Sequence, residues 1–175
     1  MKKVLIIETN VNRYKGTDEA TGLWLGESAE FIDEFQKCNI DYDVISPKGG
    51  LVPLDPRSMK YIDSSIWNIY ESSDFADRAI RNTMRPEDIN PKDYVAIYFT
   101  GGHGVMWDFP DNKKIQAIAR VIYNDGGYLT SVYHGIAGLL NIKDENGKYL
   151  ISGKKLQGSQ LLRKELLARE LLFLF

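Results

Sequence analysis

Apolar and polar positions along this chain switch between two periods. Residues 3–8 (KVLIIE) form a nearly continuous apolar run between polar stretches, the pattern of a strand buried on both faces. Residues 9–20 are polar and glycine-containing, which predicts a loop. From Thr21 the period lengthens. Trp24, Ser28, Phe31 and Phe35 recur at helical spacing, with Leu25 and Ile32 beside them, and predict a helix. Residues 42–46 (YDVIS) read as a second strand. Residues 47–57 hold three prolines and two glycines and must be loop. Residues 61–82 look helical in pieces, and a proline-bearing connector follows. Residues 94–99 (YVAIYF) are the most strand-like of all and run into Gly101-Gly102-His103-Gly104. Ile115, Ile118, Ala119 and Ile122 mark one helix face, which Asp125-Gly126-Gly127 ends. Residues 129–132 make another strand, with a short helix expected over 134–140. Strands alternating with helices predict an α/β domain, a mainly parallel sheet sandwiched by helices, over residues 1–158.

Residues 159–175 break this order. They carry seven leucines and two phenylalanines spread round the helical wheel. They form a separate apolar segment, expected to pack against the domain or a second copy of the chain.

Composition narrows the function. The 175 residues suffice for one domain that buries roughly 70% of its unfolded surface without disulfides. Lys+Arg number 22 against 24 Asp+Glu, a net charge of −2 with no basic run, which argues against nucleic acid. No apolar stretch is long enough to span a membrane. The single Cys38 cannot pair internally and suits a reducing cytoplasm.

Three features are candidates for chemistry. The strand of residues 129–132 turns abruptly at Tyr133-His134-Gly135, the kind of turn on which α/β hydrolases hold a nucleophile. Gly135 lets the chain turn tightly, and amides at such a turn suit an oxyanion. Gly101, Gly102 and His103 follow a buried strand, where glycines aim backbone N–H groups outward; a plain tight turn is the alternative. Glu27 lies one turn from both Trp24 and Phe31. A carboxylate held against aromatics favours its neutral form and suits a proton shuttle, whereas a solvated helix glutamate is the ordinary outcome. Cys38 ends the first helix and reads as a packed or incidental thiol rather than a nucleophile. His103 and His134 sit on different loops without a metal-binding spacing, so no metal is expected.

Five blocks in order carry a resemblance: residues 21–27 (TGLWLGE), 46–50 with 53–56, 100–108 (TGGHGVMWD), 133–138 (YHGIAG) and 152–158 (SGKKLQG). Together they resemble the ThiJ/PfpI superfamily, the class I glutamine amidotransferase-like, flavodoxin-like fold. Within it they are most similar to the glyoxalase III and heat-inducible chaperone branch. The resemblance implies cofactor-free conversion of a 2-oxoaldehyde such as methylglyoxal to a 2-hydroxy acid. A cysteine on the turn adds to the aldehyde, Glu27 and His134 move protons, and backbone amides at Gly102 and His134 hold the oxyanion. Here Tyr133 stands where that cysteine belongs. A free thiol is a few per cent ionised at pH 7 and a phenol roughly one part in a thousand, so activity is expected to be weak or absent. Cys38 is about three helical turns from Glu27 and cannot substitute. The resemblance also implies further strand and helix beyond residue 158, so the C-terminal part of the fold is expected to be incomplete or capped by self-association. A non-catalytic stress-protective or holdase-like protein is the alternative, and an amidase or peptidase the third.

Overall fold

The computed structural model describes residues 3–154 and Leu156. Four strands, β1 (Lys3–Ile7), β2 (Tyr42–Ile45), β3 (Tyr94–Phe99) and β4 (Tyr128–Ser131), pair in parallel in the order β2-β1-β3-β4. This is the flavodoxin-like arrangement that the strand–helix alternation predicts.

The pleat sorts side chains between two cores. Leu5, Ile7, Ile97 and Phe99 face one layer, packed against helix α5 (Lys113–Asn124) and the turn at Tyr133–Leu139. Val4, Ile6, Val44 and Tyr98 face the other, against helix α1 (Leu25–Lys37) and α2 (Ser64–Glu71). Because β1 and β3 are covered on both faces, they read as apolar runs rather than as alternating ones. The broken pattern over 61–82 becomes α2, the short α3 (Ser73–Phe75) and a wide turn of π type at Ala76–Arg81. Asp63 caps α2 by accepting from the Ile66 N–H at 2.9 Å. A one-turn helix, α4 (Val105–Asp108), follows the loop after β3.

One expectation needs correction. Helix α1 begins at Leu25, not Thr21, because Thr21 and Leu23 are bound to another loop: the Leu23 N–H donates to Pro53 O at 2.8 Å. Its buried stripe is accordingly Leu25, Ser28, Ala29 and Ile32, with Phe31 and Phe35 on the flank. The short helix expected after β4 is present as a 3₁₀ helix over Tyr133–Leu139. The apolar segment 159–175 lies outside the described residues. Among those described, no helix is long and apolar enough to cross a membrane.

Candidate active site

In this strand order β1 has neighbours on both sides, so the connections leaving β1 and β3 diverge and open a crevice at their carboxyl ends, where α/β folds bind ligands. Three loops and the start of α1 meet there.

The loop after β3 is anchored by Thr100, whose Oγ1 and N–H both donate to Ile7 O, at 2.7 and 3.1 Å. Gly102 adopts φ +102°, and a Cβ on it would fall 2.2 Å from Gly22 O, so only glycine fits. Gly101 O accepts from the Trp24 N–H at 3.3 Å, tying this loop to the start of α1.

The turn after β4 is strained where a nucleophile elbow is strained. Tyr133 has φ +40°, a left-handed conformation that bulky residues avoid. Gly135 follows close against β3, its Cβ position 2.2 Å from Phe99 O. The Gly135 N–H donates to Val132 O at 2.7 Å. This N–H is engaged within the turn, and Gly135 packs closely against β3.

Glu27 sits in the first turn of α1, held by the Tyr98 hydroxyl, which donates to Glu27 O at 2.8 Å. Tyr98 in turn stacks on Phe31 with ring centroids 3.7 Å apart. Burial pushes the Glu27 carboxyl up to about 7; the nearby Gly101 N–H opposes the shift. Its Oε2 is buried without a hydrogen-bond partner. A carboxyl in this state both gives and takes a proton near neutral pH.

Glu27 and Tyr133 line one cleft of about 610 Å³, walled by Trp24, Phe31, Tyr61 and Tyr98. Tyr133 remains 70% exposed, so its ring borders the cleft instead of filling it. His134 does not line this cleft. It pairs with His103, ring centroids 4.5 Å apart. Burial, and then the neighbouring His103, lower the pKa of His134. The sequence treats these imidazoles as separate; adjacent strands β3 and β4 bring them together.

A buried acid and a half-buried one at the crevice escape pattern reading. Glu8 ends β1 fully buried, its Oε1 accepting from Ser28 Oγ at 2.5 Å, and burial raises its pKa to about 8. Asp108 accepts from Thr9 Oγ1 at 2.9 Å and the Asn10 N–H at 2.8 Å, which pins the loop after β1; burial raises it to about 6. Glu8 left one signal, an acid closing an apolar strand. Cys38 lies at the far end of α1, as expected, and is exposed rather than packed.

No family model matches the chain. Among known proteins, Glyoxalase 3 of Candida albicans is 30% identical over 164 residues, 90% of this chain and 69% of the relative. The glutathione-independent glyoxalase HSP31 of Saccharomyces cerevisiae is 30% identical over 165 residues, 90% and 68% of the two chains. The chain belongs to the glutathione-independent glyoxalase family. A solved structure, the Rapid Encystment Protein 24 KDa of Francisella tularensis, matches with a TM-score of 0.87 at 35% identity, over 99% of this chain and 77% of that one. Family membership agrees with the resemblance drawn from the five sequence blocks.

Proposed function

We propose that this site processes a small 2-oxoaldehyde such as methylglyoxal to its 2-hydroxy acid without glutathione or another cofactor, and that Tyr133 leaves the reaction slow. The observation that carries this reading is Tyr133 itself: a bulky residue held at φ +40° on the strand end, bordering the cleft that Glu27 also lines. With a thiol at position 133, sulfur adds to the aldehyde carbon. Glu27 then moves the C1 proton to C2, and water cleaves the thioester to release the acid and the thiol. Tyr133 supplies no such adduct. What this chain retains is the proton shuttle, which acts on the aldehyde hydrate, taking the C1 proton and returning it to C2. Water relays the hydroxyl proton from the C1 oxygen to the C2 oxygen, since His134 does not line this cleft.

The experiment is methylglyoxal consumption by Tyr133→Cys with Glu27 intact or changed to Gln. Activity in the first and its loss in the second support the reading. Equal rates in both contradict it.

Self-association and a cytoplasmic location belong to the same proposal. Among the described residues nothing pairs with the outer edge of β4, where Tyr128 is exposed, and Cys38 is an exposed free thiol. Light scattering and fractionation test them. A second reading, a holdase-like surface, is favoured by one observation: Tyr61 and Tyr133 on the cleft rim are each 70% exposed. Suppression of client aggregation that Tyr61→Ser abolishes would support it.

A further inference from the structure

The cleft beside the elbow is larger than a small aldehyde needs. At about 610 Å³ it falls in the range that encloses a molecule many times the size of methylglyoxal. Two aromatic pairs line it. Trp24, at the start of α1, and Tyr61, at the end of the 3₁₀ turn Ser58–Tyr61, have ring centroids 5.5 Å apart and planes tilted by 33°. Phe31, two turns along α1 from Trp24, lies nearly parallel on Tyr98 of β3, their planes 12° apart. Trp24 and Phe31 are half-buried and Tyr61 is exposed, so ring surface is left open to the cleft. Flat apolar groups pack on such rings in offset or edge-on contact.

The charge in the cleft comes from two acids one turn apart on α1, Glu27 and Glu30. The Glu30 side chain folds back along the helix, with Oε1 3.5 Å from where a Cβ on Gly26 would stand. Its carboxylate therefore lies over the first turn of α1, beside Glu27. Burial is the main cause of the upward pKa shifts at Glu27 and Tyr98, and the Glu30 charge adds to both, so its field reaches into the cleft. An anion brought between these walls meets that charge across a site that the rings have partly dried, where repulsion is stronger than in bulk water.

We propose that this cleft selects 2-oxoaldehydes whose side group is flat, apolar and uncharged, and that Glu30 is the specificity-determining residue that rejects an anionic side group. This selectivity rests on the glyoxalase reading for where the carbonyl is placed, yet it concerns the other end of the substrate, and binding alone tests it.

Three ketones that cannot rearrange serve as probes: acetone, acetophenone and 4-acetylbenzoate, which add first a ring and then a charge. The chain has three tryptophans, so the Trp24 indole N–H is assigned in ¹H–¹⁵N spectra by Trp24→Phe, or by Trp67→Phe and Trp107→Phe if the first does not fold. On the full chain with Tyr133 in place, acetophenone should shift the Trp24 signal saturably. It should bind about tenfold more tightly than acetone and about fivefold more tightly than 4-acetylbenzoate. Glu30→Gln, or high salt, should bring 4-acetylbenzoate to within about twofold of acetophenone, whereas Glu30→Asp keeps the charge and should keep most of the gap. Glu34→Gln removes the same net charge one turn further along α1, where Glu34 pairs with Lys37, and should leave the gap unchanged. Tyr61→Ala should weaken acetophenone more than acetone. A Trp24 signal that acetophenone does not move, equal affinities for acetophenone and acetone, or a charge gap that Glu30→Gln leaves intact or Glu34→Gln closes equally would overturn the proposal. An active Tyr133→Cys chain that binds the three ketones alike overturns only this selectivity. The expected binding with an inactive Tyr133→Cys chain overturns only the glyoxalase reading.

Discussion

The carboxyl of Glu27 occupies the space where a side chain on Gly101 would begin: a Cβ there would stand 2.2 Å from Glu27 Oε2. The neighbouring Gly102 meets backbone instead, with Gly22 O at 2.2 Å and Trp24 N at 2.7 Å. The two glycines therefore answer differently to the same change. Gly101→Ala should fold, because a carboxyl at the end of a flexible side chain moves aside, but it should displace Glu27 and abolish turnover in the Tyr133→Cys chain. Gly102→Ala should be strongly destabilised, about 1–3 kcal/mol from its φ of +102° alone and more from the overlap with backbone. Thermal unfolding beside activity separates the two; equal Tm losses would contradict this geometry.

Glu8 sets a pH dependence of stability. Its pKa is raised by burial from 4.5 to about 8 in the folded chain. Between those values the folded state keeps a proton that the unfolded state has released, so stability falls as pH rises through this window. The full effect is on the order of 5 kcal/mol. Glu27, raised to about 7, and Asp108, raised to about 6, tilt the curve the same way. Glu8→Gln keeps an acceptor for Ser28 and should flatten the slope. Urea unfolding at pH 5 and pH 8 measures it. A variant as pH-sensitive as the parent would contradict the assignment.

Tyr98 supports Glu27 from beneath. Tyr98→Phe removes the 2.8 Å bond to Glu27 O while keeping the stack on Phe31. The loss should be about 1 kcal/mol, since one hydrogen bond goes and the freed carbonyl sits at a partly buried site. A chemical denaturation curve unchanged within error would contradict the role.

The fold was legible because β1 and β3 are buried on both faces, and a parallel sheet writes that burial as apolar runs. The elbow and the glycine loop were legible as motifs at strand ends. The start of α1 was not, because Leu23 is claimed by Pro53 of a distant loop, and local periodicity carries no trace of that bond. The same reason hid Asp55. An acid in a proline-rich loop reads as exposed, and only the tertiary cage of Thr21, Arg57 and Tyr14 buries it. His103 and His134 are 31 positions apart; their pairing follows from β3 and β4 being sheet neighbours, a matter of strand order.

Thiol chemistry offers a separate check on the elbow. A cysteine placed at position 133 would sit on a strained turn beside amides, whereas Cys38 is an exposed thiol at a helix end. Intact mass after brief iodoacetamide treatment of Tyr133→Cys should show position 133 modified ahead of Cys38, with peptide mapping to confirm it. Modification of Cys38 first would argue that the elbow does not activate a thiol.

The central claim is that a glyoxalase site stands here, with its nucleophile position filled by Tyr133. It is tested most directly by measuring 2-hydroxy acid formed from methylglyoxal, without glutathione, by the parent chain and by Tyr133→Cys. The account predicts a slow parent and a rise of roughly tenfold or more in the variant, whose thiol forms the adduct that Tyr133 does not. A well-folded Tyr133→Cys chain that forms acid no faster than its parent would contradict it.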